Sequence, residues 1–214
     1  YTTLFRLIGR ASCRERVYSN GAGTYTVADV TVATGSSGGG GNFGGWAMAV
    51  VYENPAVSYS SVRVYDGYMQ VFSGGSPTTQ SILLTGLNAP GSPVLASDAY
   101  MSTVAWEGDG NLASSAANPN GDYIKVNGFP VSNTVNPSIN FWNGTISKNG
   151  SHITAKNPNF VNQMGIDIDE QEVGVGYGIP VNATQVSIEF GTEADQYFPS
   201  VFAFTIKAKD PEII

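Results

Sequence analysis

An all-β fold, an antiparallel β-sandwich of jelly-roll-like form with long Gly/Asn/Pro-rich loops, is the class this sequence predicts. Three observations predict it. Apolar residues follow a two-residue beat in short runs such as QVSIEF at 185–190 and SVFAFTIK at 200–207. Gly, Asn and Pro turns separate such runs at roughly 8–12-residue spacing, the punctuation of sandwiches and barrels. Charged residues make up 13% of the chain, well below the roughly one quarter of an ordinary soluble domain, and no amphipathic helix of normal length is evident. A chain of 214 residues suffices for one large sandwich whose core needs no disulfide.

The elements follow in order. Residues 24–32, TYTVADVTV, read as a strand with Tyr25 and Val27 on one face and a phase shift at Asp29 that suggests a bulge. The glycine-rich stretch 36–45 reads as a surface loop, because strand signals resume directly after it. Residues 46–52, WAMAVVY, are continuously apolar, which predicts a central strand covered on both faces and closed by Asn54-Pro55. Residues 61–72 form two β segments around Asp66-Gly67, a hairpin or bulge signal. Further strands are expected at 81–87, 99–107 and 122–126, the last followed by an Asn127-Gly128 turn. Residues 130–163 read as loop with short strands at 139–142 and 145–147. Strands at 164–168, 185–190 and 200–207 complete the domain, and 210–214 read as the start of a linker.

The first seventeen residues differ from the rest. They hold Arg6, Arg10, Arg14 and Arg16, four of the ten basic residues, and the sole cysteine, Cys13. IGRASCRERV at 8–17 resembles a translated read-through of a widely used short-read sequencing adapter, and YTTLFR at 1–6 resembles a translation of its opposite strand. The expectation is a non-native, adapter-derived leader over 1–17, a single domain over 18–209, and a linker from 210. Removing the four arginines and Glu15 leaves 6 basic and 16 acidic side chains, a formal charge of −10 against −7 for the whole chain. The remainder holds no cysteine, which suits an exported protein that does not depend on disulfides.

This acidic balance disfavours nucleic acid and anionic membrane as partners, since both require Lys/Arg clusters. No run of about 18 apolar residues is present to span a bilayer as a helix. His152 is the only histidine, no serine sits in GxSxG, and neither a zinc ligand set nor a phosphate-cradling loop is present.

The carboxylates are the most suggestive chemical group. In IDIDE at 166–170, Ile166 and Ile168 take one strand face while Asp167 and Asp169 share the other, about 6.6–7 Å apart. Glu107 and Asp109 sit at a strand end in WEGDGN, and Asp66 sits in YDGY. Oxygen ligands at sheet ends suit Ca²⁺, so Asp66, Glu107, Asp109, Asp167 and Asp169 form the candidate metal set. The plainer alternative is solvent-facing acids that keep the sheet soluble and block edge pairing. Glu107 or Asp109 facing Asp167 or Asp169 across a cleft would instead make a glycosidase-like pair. Trp46, Trp106 and Trp142 are the candidate platform for a sugar, with core packing as the commoner role of such residues. Lys125, Lys148, Lys156, Lys207 and Lys209 are the lysines open to a Lys–Asn crosslink, and the sequons at Asn143, Asn149 and Asn182 fit chance in an Asn/Ser/Thr-rich chain.

Several phrases, in order and spacing, resemble a β-rich module of large, repeat-containing bacterial surface and secreted adhesin-like proteins. They are GTYTVADV at 23–30, GGWAMAVVYENP at 44–55, VRVYDGYMQV at 62–71, VAWEGDG at 104–110, NPNFVNQMGIDID at 157–169 and ATQVSIEFGTEADQYFPSVFAF at 183–204. The resemblance spans residues 21–206. It implies an extracellular or cell-surface module among tandem β-repeat domains, with a structural or adhesive role and a glycan or protein ligand at most. It carries no established functional residues. It also implies strands ahead of the ADVT segment, where this chain has the adapter-like stretch, and hence an exposed sheet edge. The expected function is therefore a non-catalytic structural or adhesion module, Ca²⁺-stabilised in one version. A carbohydrate-binding module is the alternative, and a glycosidase-like enzyme ranks third.

Overall fold

The computed structural model describes residues 2–8, 11–17, 24–28, 45–75, 78–112 and 121–209. The predicted segment 29–32, most of the loop 36–45 and the expected linker 210–214 lie outside them. Thirteen strands are described: β1 (Thr2–Ile8), β2 (Ala11–Val17), β3 (Ser60–Asp66), β4 (Val71–Phe72), β5 (Thr79–Thr85), β6 (Ala99–Gly108) and β7 (Asp122–Val126). They continue with β8 (Phe129–Pro130), β9 (Ile146–Lys148), β10 (Ser151–His152), β11 (Gly165–Glu172), β12 (Gln185–Thr192) and β13 (Gln196–Lys207). A single 3₁₀ turn, Ala96–Asp98, is the only helical element among the described residues.

The protein is an all-β sandwich. Its larger sheet runs β10-β9-β11-β6-β13-β3, with β4 also on β13, and its smaller sheet runs β5-β12-β7-β8. All pairs are antiparallel except β9 with β11. The β1–β2 hairpin makes its own two-stranded sheet, outside the strand order of either sheet of the sandwich.

Alternation explains the core. Val186, Ile188 and Phe190 of β12 face Tyr197, Phe202, Phe204 and Ile206 of β13 across the layer, joined by Met101, Leu84 and Ile124. Burying each such large apolar side chain contributes roughly 1.5–3 kcal/mol. Trp142 fills the middle, with ring centroids 5.3 Å from Tyr197, 6.3 Å from Phe190 and 4.9 Å from Phe141. Asn127-Gly128 forms the predicted turn between β7 and β8, with φ of 48° and 83°, the left-handed pair a two-residue hairpin requires.

Three local expectations are corrected. Residues 46–52 form no strand; they lie extended over the outer face of the larger sheet, with Ala47 buried against Val104, Trp106 and Val201. Their side chains alternate, so Trp46, Met48, Val50 and Tyr52 are exposed. An unbroken apolar run therefore conceals a one-sided segment. Of the hairpin or bulge expected at Asp66-Gly67, the hairpin is not formed: β3 and β4 both pair with the long β13, their register shifts by one residue between Asp66–Val201 and Val71–Tyr197 as a bulge does, and Gly67 and Met69 donate to the carbonyls of Ser200 and Pro199. Residues 139–142 form only an isolated bridge, Asn140 with Asp122, before turning Phe141 and Trp142 into the core.

Candidate functional site

The five acids expected to hold a metal are dispersed. Asp66 ends β3 opposite Val201, two strands from β6. Asp167 and Asp169 do share one face of β11, but that face points into the sandwich: both are buried, at 0% and 1% exposure, beside Ala105 and Thr103. Ile166 and Ile168 instead join the outer cluster around Trp106. The solvent-facing reading of these aspartates is thereby corrected, because a two-residue beat separates two faces without saying which one is covered. Among the described residues no three His, Cys, Asp or Glu side chains are grouped to hold a metal.

Asp167 and Asp169 anchor the loop that leads into β9. Asp167 Oδ1 accepts the backbone N–H groups of Gly144 (2.8 Å) and Thr145 (3.2 Å). Gly108 lies so close beneath Asp167 Oδ2 that a Cβ there would collide with it. Burial pushes Asp167 well above the usual carboxylate range, the Asp169 charge adds to this, and the loop amides oppose it. Ser147 Oγ lies 2.6 Å from Asp169 Oδ1 and 2.7 Å from Asn136 Oδ1. Asn136 Nδ2 donates to the Phe141 carbonyl (3.0 Å), so its Oδ1 accepts. One hydroxyl proton serves one acceptor at a time, so the Ser147 hydroxyl is shared between Asn136 Oδ1 and Asp169 Oδ1. Burial raises Asp169 to about 7, and its hydrogen bonds with Ser147 and Asn136 oppose the rise.

A second acid group occupies one end of the sandwich. Glu107 and Asp109 follow β6, Asp122 opens β7, and Asp195 lies in the turn between β12 and β13. Glu107 adopts a left-handed φ of 74° beside the bulge at Gly165, which re-aims the end of the strand. Burial, then Asp195 and Asp109, raise Glu107 to about 7. Burial is also the first cause of the rise in Asp122, to about 8; Thr192 opposes it, and Asp195 and Glu107 add to it. Asp122 and Asp195 approach within hydrogen-bonding reach of each other. Sequence reasoning singled out Glu107 and Asp109 and missed Asp122 and Asp195, which join them only through the fold.

The tryptophans do not form a platform. Trp142 is fully buried, and Trp106 is buried with Nε1 donating to Ser200 Oγ (2.8 Å). Trp46 alone is exposed, at 51%. Beneath residues 48–60 an apolar groove of about 840 Å³ runs over the outer sheet face, lined by Met48, Val50, Val62, Val104, Ile168 and Ala203. Lys125 pairs with Glu189 (2.9 Å) and Lys148 with Glu170 (2.7 Å), and Lys156 donates to the Phe160 carbonyl (2.6 Å). No helix among the described residues is long and apolar enough to cross a membrane. No family model, curated protein or solved structure significantly matches this chain.

Proposed function

We propose that this chain is a non-catalytic structural or adhesion module of an exported bacterial surface protein, set among neighbouring β-repeat domains. The observation that supports this reading is the outer face of the larger sheet. Trp46, Met48, Val50 and Tyr52 stand exposed along one extended segment above an apolar groove. A contiguous apolar surface of this kind suits contact with another domain. The test is antibody labelling of intact source cells. Labelling without permeabilisation is expected; labelling only after permeabilisation contradicts the reading.

The carbohydrate-binding reading has one observation in its favour: Trp46, Tyr52 and Tyr59 are all exposed on this side of the molecule. A glycan array distinguishes the two. The module reading expects no binding, whereas binding abolished by Trp46→Ala favours the sugar reading. We further infer that residues 1–17 are foreign to the domain, a reading supported by a hairpin that pairs with itself and with neither sheet. Resequencing the source gene across Val17–Tyr18 tests it, and an uninterrupted natural reading frame refutes it.

A further inference from the structure

We propose that the Asp122–Asp195 end of the sandwich binds a divalent cation of the Ca²⁺ class, with Asn140 completing the oxygen set. Asp122 has no exposed surface, and neither of its carboxylate oxygens has a hydrogen-bond donor at normal geometry. Removing a carboxylate from water is expensive unless a positive charge or donors compensate.

Among the described residues the neighbouring elements supply a hydroxyl and backbone amides but no positive charge. From the β12–β13 turn comes Asp195, whose Oδ1 is buried without a partner. From β6 comes Glu107, whose Oε2 is likewise buried without one, and Asp109 lies close enough to raise it. Thr192 of β12 lies near Asp122; its oxygen accepts the amides of Ala194 and Asp195, and its O–H is a donor that partly opposes the rise in Asp122. Tyr197 of β13 turns its hydroxyl to the carbonyls of Tyr123 and Gly191. No lysine or arginine among the described residues acts on Asp122 or Asp195.

Asn140 is an independent and uncharged witness. It is 6% exposed and bridges to Asp122 through the backbone. Its Nδ2 donates to the Asp109 carbonyl (2.8 Å), which fixes the amide and leaves Oδ1 buried with no partner. Carboxylates and an amide oxygen are the ligand chemistry of Ca²⁺, which takes six to eight oxygens and tolerates irregular geometry. Two carboxylates with an amide oxygen form a smaller set than three grouped acids, and waters fill the remaining positions of such sites. The location gives the ion a structural role. It would tie the end of β6, the start of β7 and the β12–β13 turn, and so lace the two sheets together.

The test uses the whole chain, stripped with EDTA and passed into metal-free buffer at pH 8. CaCl₂ titration followed by calorimetry and thermal unfolding is expected to give saturable binding of one ion and a Tm rise of several degrees. Asp122→Asn and Asp195→Asn are expected to abolish that rise while remaining folded by circular dichroism. Asp167→Asn, on the other acid group, is expected to keep it. A wild-type Tm indifferent to CaCl₂, or a rise that persists in both Asp122→Asn and Asp195→Asn, overturns the proposal. A Tm that responds to acidification but not to CaCl₂ also overturns it, in favour of two carboxyls sharing a proton. Each of these outcomes concerns the purified domain, so the cation site stands or falls separately from labelling at the cell surface.

Discussion

Asp167 and Asp122 are both fully enclosed, on strands of opposite sheets, yet the chain around them treats them differently. Asp167 Oδ1 is met by two backbone N–H groups of the 143–145 loop and Asp169 Oδ1 by the Ser147 hydroxyl, while the Oδ2 of each is buried without a partner. Asp122 is met by the Asp195 and Glu107 carboxyls and the Thr192 hydroxyl, and Asn140, bridged to it through the backbone, keeps a buried Oδ1 with no donor. Buried carboxyls supplied with donors pin a loop in place. Buried carboxyls surrounded by acceptors call for a counter-charge from outside the chain. Burial alone is therefore no guide to function here; the inventory of donors separates a structural bolt from a binding site.

The largest effect is expected at Asp167. Truncation in Asp167→Ala leaves the Gly144 and Thr145 amides buried and unpaired, at a cost of about 2–4 kcal/mol. Guanidinium unfolding measures it, and a loss under about 0.5 kcal/mol would dissolve the comparison. Ser147→Ala comes next, because it unpairs both Asn136 Oδ1 and Asp169; about 1–3 kcal/mol is expected by the same measurement.

The pH dependence sharpens the comparison further. Asp169 in the folded chain titrates at about 7, above the roughly 3.9 of an unfolded aspartate. Between these values the unfolded state binds fewer protons than the folded one, so stability falls as pH rises. The Asp169 contribution is full below about pH 4 and is lost by about pH 7, with a span on the order of 2–4 kcal/mol. Asp169→Asn keeps a donor for Ser147 and cannot titrate, so its slope across that window should be shallower. Denaturant midpoints at half-unit pH steps provide the check, and equal slopes for variant and wild type would contradict the assignment. The smallest effect is expected at Lys125–Glu189, an ion pair with both side chains about a third exposed. Lys125→Ala should cost no more than about 1 kcal/mol and less in high salt, which sets the scale for a carboxylate that water can reach.

Much of this architecture is written in local pattern. The strands at 185–192 and 196–207 alternate cleanly because one face of each is the sandwich core, and period two records that directly. The Asn127-Gly128 turn is equally local. The failures have a physical cause in each case. Residues 46–52 are apolar on both sides although one side lies against the sheet and the other is exposed, so composition does not reveal their missing ladder. Asp167 and Asp169 alternate with isoleucines whichever face is inward. The second acid group is non-local: Asp122 opens DYIKV and Asp195 sits in a turn, and nothing within either segment points to the other or to Asn140. Only the closure of the two sheets brings them together.

The most direct test of this difference in donors compares Asp167→Ala with Asp122→Asn in metal-free buffer at pH 8, each by equilibrium denaturation. The two changes should have opposite signs: Asp167→Ala lowers stability, and Asp122→Asn raises it, by about 1–2 kcal/mol, through relief of an uncompensated buried charge. If both variants lose stability to a similar degree, the distinction between the two acid groups fails.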